Sequence, residues 1–94
     1  MNNNIKKTIL ELLPTERENA VHQIELAKLA RTTCAAVKKN IQRLRSEDNK
    51  PIMSTNEGYW ITDNKEEFLE FYYRERKQAL TRLETIEAAA RGFD

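Results

Sequence analysis

Proline and glycine punctuate a chain more sharply than any other residues, and here they fall at only four places: Pro14, Pro51, Gly58 and Gly92. Between them the sequence is left free to form helices. Ile5, Ile9, Leu12 and Leu13 recur at i, i+4, i+7 and i+8, which lines one helical face, and Pro14 disfavours the α conformation of the residue before it. A first helix is therefore expected from Ile5 to Leu13. The polar run 14–19 reads as a loop, and Ala20-Val21-His22 offers a very short strand. Ile24, Leu26, Ala27, Leu29 and Ala30 then build a compact second helix of good helix formers, interrupted at Arg31-Thr32-Thr33.

Thr33 is placed to cap a third helix, with Thr32 as the competing choice, because its hydroxyl can accept from a free first-turn amide. That helix should run from Cys34 to Ser46. Val37, Ile41 and Leu44 must face the core, which turns Ala35, Lys38, Lys39, Gln42, Arg43 and Arg45 toward solvent or the flanks. After the turn Glu47-Asp48-Asn49-Lys50-Pro51, the segments 52–55 and 59–62 carry β-branched and aromatic residues around Asn56-Glu57-Gly58. Gly58 can adopt the positive φ of a tight turn, so a two-stranded hairpin is expected. Asp63 with Glu66 three residues on resembles a capping box. A long last helix should follow from Asn64 to Arg91, ended by Gly92. The fold class expected is mainly α with a small β-hairpin: a helix-turn-helix unit with its hairpin over 1–62, and a C-terminal helix over 63–94.

Composition excludes several alternatives. A chain of 94 residues that is 39% hydrophobic supports one modest core and leaves no room for a two-domain enzyme. Cys34 is the only cysteine, so no intrachain disulfide forms, which suits a reducing, cytoplasmic setting. The start of the chain lacks a secretory signal's apolar core, and no segment approaches the roughly 18 apolar residues that span a bilayer, so no membrane association is expected. One cysteine and one histidine, His22, make a poor zinc site, and no metal, cofactor or small-molecule ligand is expected. Nor is there a Ser/His/Asp or Cys/His constellation or a glycine-rich phosphate loop, so catalysis is not expected.

Charge placement points elsewhere. The chain is formally only +1, but residues 31–50 hold six cations against two anions, a net +4, while 63–94 hold six cations against eight anions. Two helices joined by a short turn, the second basic on its outer face and followed by a hairpin, form a device suited to reading double-stranded DNA, with the hairpin on the adjacent backbone. The stretch Ile24 to Ala30, the turn Arg31-Thr32-Thr33, the helix Cys34 to Arg45 and the hairpin from Pro51-Ile52 to Gly58-Tyr59-Trp60-Ile61 together resemble the winged helix-turn-helix family, over about residues 5–62. The likeness is to small winged-helix proteins of bacteria and phages, and it implies that the helix 34–46 is the recognition helix. One departure is Arg31, which stands where the family favours glycine in the turn, so a non-glycine residue must adopt it.

On this reading Lys38, Lys39 and Arg43 contact DNA, Ala35 and Gln42 approach bases, and Arg45 or Lys50 lies nearer phosphate, with Thr33 and Tyr59 completing the surface. Trp60 is expected inside and Tyr59 outside, by strand alternation. Cys34 and His22 are read as ordinary side chains. The last helix, 28 residues and about 42 Å long, outreaches a small core. Tyr72, Ala79, Leu83, Ile86 and Ala90 fall in one helix-packing seam, interrupted by Arg76, so the first turns, through Phe68, Leu69, Phe71 and Tyr72, are expected to dock on the domain and the latter half to form a homodimer. Such a dimer would set two recognition helices on successive major grooves. The competing roles are a winged-helix protein-interaction module, such as a phage-encoded adaptor or inhibitor, and an accessory subunit of a nucleic-acid-modifying enzyme.

Overall fold

A computed structural model of the chain describes residues 2–93, with side chains from Ile5 onward. In chain order the elements are α1 (Asn2–Leu12), a 3-10 turn (Arg17–Asn19), α2 (Gln23–Leu29), α3 (Cys34–Glu47), β1 (Ile52–Thr55), β2 (Gly58–Ile61), α4 (Lys65–Ala90) and a final 3-10 turn (Arg91–Phe93). The fold is mainly α with a small antiparallel hairpin and a long C-terminal helix. It divides into two units, residues 1–63 and 64–94.

In the first unit α3 packs against both α1 and α2. The core is built from Ile9 and Leu13, Leu26 and Ala27, Val37, Ile41 and Leu44, closed by Ile52 from the hairpin. The i, i+4, i+7 spacing of Val37, Ile41 and Leu44 thus does what it dictates, and Asn40, one turn beside them, is drawn in as well. Its Nδ2 donates to the Ala36 carbonyl at 2.8 Å, while its buried Oδ1 has no hydrogen-bond donor among the described residues. Helix α1 starts earlier than its apolar spacing indicates, at Asn2 rather than Ile5. Its end is sealed where expected: the Leu13 amide still donates to Ile9 and Leu10, and Pro14 follows.

The link between α2 and α3 is a Schellman arrangement. The Thr32 amide donates to the Ala27 carbonyl at 2.9 Å and the Arg31 amide to Lys28 at 3.2 Å, which holds Arg31 left-handed at φ 55°. The chain therefore makes the turn with arginine in a conformation that suits glycine. Thr33 caps α3, its Oγ1 accepting from the Ala36 amide at 3.1 Å. At the other end Asn49 is also left-handed, at φ 54°, and the Lys50 amide returns to the Leu44 carbonyl. Helix α3 reaches Glu47, one residue beyond its expected end.

In the hairpin Ile52 pairs with Ile61, Met53 with Trp60, Ser54 with Tyr59 and Thr55 with Gly58. The short strand expected near Val21 is a two-way bridge to Tyr59, with amide-to-carbonyl distances of 3.0 and 2.8 Å. The Pro14 carbonyl accepts from the Ile61 amide, so β2 is bonded along both edges. Gly58 has φ 119°, and a Cβ there would lie 2.6 Å from the Val21 carbonyl, so only glycine fits. It opens β2 rather than sitting in the connecting turn. Trp60 is buried, as alternation requires. Tyr59 is half-buried rather than open, because its backbone is bridged to Val21 and its hydroxyl donates to Gln23 Oε1 at 3.3 Å.

Two expected boundaries of the second unit move. Asp63 does not cap α4: Asn64 has the extended backbone, and its Oδ1 accepts from the Glu67 amide at 3.1 Å. Glu66 and Glu67 in the first turn complement the helix dipole. Gly92 does not end α4 in a left-handed conformation either. The helix stops at Ala90 and tightens into a 3-10 turn that contains Gly92, the Arg91 amide reaching back to the carbonyls of the last turn. None of the helices is long and apolar enough, within residues 2–93, to cross a membrane.

Candidate nucleic-acid interface

With Val37, Asn40, Ile41 and Leu44 turned inward, the opposite side of α3 is the row Ala35, Lys39, Gln42 and Ser46, spaced four, three and four residues apart and all exposed. Lys38 stands beside it and is exposed as well. Neither Lys38 nor Lys39 makes an ion pair or side-chain hydrogen bond among the described residues. The row begins at a small side chain next to the capped N-terminus and continues through an ammonium and an amide. It thus offers close approach, positive charge and paired donor and acceptor in turn.

The remaining residues expected at the site divide by how they are already engaged. Thr33 is exposed, and its oxygen serves the cap while its hydroxyl proton remains available. Arg43 is half-buried on the flank, where its Nε donates to Glu47 Oε2 at 3.3 Å. The rest of its guanidinium carries no hydrogen bond among the described residues. Arg45 is turned inward to the scaffold, where Nε and Nη2 both donate to the Ile52 carbonyl, at 3.1 and 2.7 Å, tying α3 to β1. Lys50 is half-buried at the base of the hairpin, with its amide committed to α3. Tyr59 is half-buried, its hydroxyl donating to Gln23 Oε1 at 3.3 Å, and Gln23 Nε2 donates in turn to the Cys34 carbonyl at 3.3 Å.

The two acidic residues that follow α3's basic face are held by cations. Lys6 of α1 lies 3.0 Å from Asp48 and 3.3 Å from Glu47, and Arg43 binds Glu47 from the same helix. The hydrogen bond from Arg43, then that from Lys6, holds the Glu47 carboxyl below its usual range. The hydrogen bond to Asp48, opposed by partial desolvation, is the largest influence raising Lys6. The anions are thus matched, and the unmatched charge is on the outer face.

The hairpin contributes differently. Between residues 51 and 62 its only charged side chain is Glu57, which Arg17 engages through Nε at 3.1 Å and Nη2 at 2.9 Å. The Arg17 guanidinium also lies 5.7 Å from the centre of the Trp60 ring. Lys6 and Arg17 were not part of the expected site, since their partners lie 41 and 40 residues away and no local spacing announces them. Ile24 and Leu29 of α2 are a second surprise: they are 63% and 54% exposed, leaving only Leu26 and Ala27 of that helix in the core.

On α4, Tyr72, Ala79, Leu83, Ile86 and Ala90 lie on one face and are all exposed. No group of three or more His, Cys, Asp or Glu residues is arranged to hold a metal ion among the described residues. Compared with protein-family models, with curated proteins and with solved structures, the chain matches none.

Proposed function

We propose that the protein binds double-stranded DNA sequence-specifically, with α3 in the major groove, as a small non-enzymatic regulator of transcription or of a mobile element's replication or excision, working in the cytoplasm. The observation that carries this reading is the exposed row of Ala35, Lys39 and Gln42 with Lys38 beside it, whose lysines are unpaired among the described residues while the neighbouring acids are neutralised. A helix of 14 residues is about 21 Å long, and its roughly 10–12 Å girth matches a groove about 12 Å wide. Gln42 has the donor and acceptor that pair with adenine, and Ala35 leaves room for a thymine methyl. Lys38, Lys39 and the free part of Arg43 meet phosphates. Arg45 acts indirectly, by fixing the hairpin against α3.

Selection from a random duplex pool, followed by fluorescence titration at several salt concentrations, tests this. The expected result is an enriched motif, with Lys38→Ala/Lys39→Ala weakening binding and flattening the log–log salt slope by about 2, at roughly 0.9 per phosphate contact. A folded double variant with unchanged affinity and slope overturns the proposal. Exposed Ile24 and Leu29 favour a protein-interaction module as the second reading. A pool without enrichment, together with a partner lost on Ile24→Ser/Leu29→Ser, would select it.

A further inference from the structure

From Tyr72 onward the face of α4 that carries Tyr72, Leu80, Leu83 and Ile86 is open, with these side chains 46 to 67% exposed, while Phe68 and Leu69 in the first turns are half-buried. We infer that it takes a second copy of α4, running antiparallel, with the twofold axis between Lys77 and Gln78. That point is the middle of the helix Lys65–Ala90, so this register overlaps all 26 residues.

Size and charge complementarity select this arrangement. Antiparallel pairing at this centre sets Tyr72 across from Leu83 of the second copy, Tyr73 beside Leu80 and Arg76 over Ala79. The polar intruder thus lies on the smallest side chain of the seam, with its aliphatic stem covering the alanine and its guanidinium reaching water. Glu75 comes beside Arg82 of the second copy, and the symmetry makes this ion pair twice. In-register parallel pairing would instead stack Arg76 on its own copy, like charge on like. It would also place Ala79 on Ala79, leaving a gap in the next layer. The pairing stands whether or not α3 meets duplex DNA.

Sedimentation equilibrium of the full chain is the first test, the expected mass being that of two 11.0 kDa chains. Glu75→Arg and Arg82→Glu each raise the dissociation constant about tenfold, and the double variant restores it, since the exchanged charges still face each other. In a parallel pair the same exchange would set the carboxylate introduced by Arg82→Glu against Glu87 of the other copy and could not restore binding. Disulfide trapping reads the direction without relying on charge. In a Cys34→Ser background, a mixture of Tyr72→Cys and Leu83→Cys chains forms a mixed covalent dimer, and neither variant forms one alone. A monomer at tens of micromolar, a double variant that fails to restore association, or cross-linking of either single variant to itself overturns the inference.

Discussion

Arg31 occupies a left-handed position that costs an L-residue roughly 1–2 kcal/mol, because its Cβ crowds the following carbonyl. Its side chain is exposed and makes no hydrogen bond or ion pair among the described residues, and the backbone bonds that hold the turn would serve glycine equally, so the arginine side chain does nothing to offset that cost. Arg31→Gly should therefore raise the unfolding free energy by about 0.5–1 kcal/mol, after glycine's greater unfolded-state entropy is set against the relieved strain, as read from urea midpoints. Glu47 makes a second residue-scale prediction. Arg43 and Lys6 depress its pKa, so its charged form contributes stability above the ordinary carboxylate range, and that contribution disappears as pH falls through the depressed value. Glu47→Gln should lower the thermal midpoint at pH 7 and leave it nearly unchanged once the wild-type carboxyl is protonated. Lys6 behaves oppositely: its raised pKa makes its contribution full below the ordinary lysine value, and strong alkali removes it.

Among the elements, α3 was the most legible in the sequence, since one threonine cap and three apolar residues at i, i+4 and i+7 determine both its start and its inward face. The hairpin was legible from Gly58 and its β-branched flanks. Helix α2 was legible as a helix but not in its burial. Seven residues supply about two turns, and two of its large apolar side chains, Ile24 and Leu29, fall on either side of the narrow strip that α3 covers. The start of α4 lies one residue beyond its expected place because Asp63 and Asn64 are both good caps, and only backbone geometry separates them. The role of Arg45 was hidden because its acceptor is a main-chain carbonyl, which no side-chain pattern encodes. These elements predict an unequal division of binding. The hairpin has no cation between residues 51 and 62, so replacing Thr55 and Asn56 at its tip by alanine should leave the salt slope of duplex binding unchanged, whereas the α3 lysine variant flattens it.

For the molecule as a whole, net charge conceals the relevant quantity. A formal +1 suggests indifference to polyanions, yet the cations and anions are separated along the chain, with +4 in residues 31–50 and −2 in 63–94. Association with duplex DNA should therefore slow steeply as ionic strength rises, as stopped-flow rates would show, despite near-neutrality; a salt-independent rate would mean that the local field does not steer the encounter. The long-range ties that neutralise the acids, Lys6 to Glu47 and Asp48 and Arg17 to Glu57, belong to this scale because only the folded chain brings them together.

The bonding of β2 along both sides has a further consequence. An unpaired strand edge is a template onto which another molecule can add, and sheets this small have little else to prevent it. Here the Val21 main chain and the Pro14 carbonyl occupy that margin, and Gly58 permits the approach by having no side chain. A bulkier residue at that one position would do more than strain a turn: it would free the Tyr59 amide and carbonyl for intermolecular pairing. The resulting damage would first be visible as fibrillar assemblies at working concentrations, while much of the helical signal was still intact.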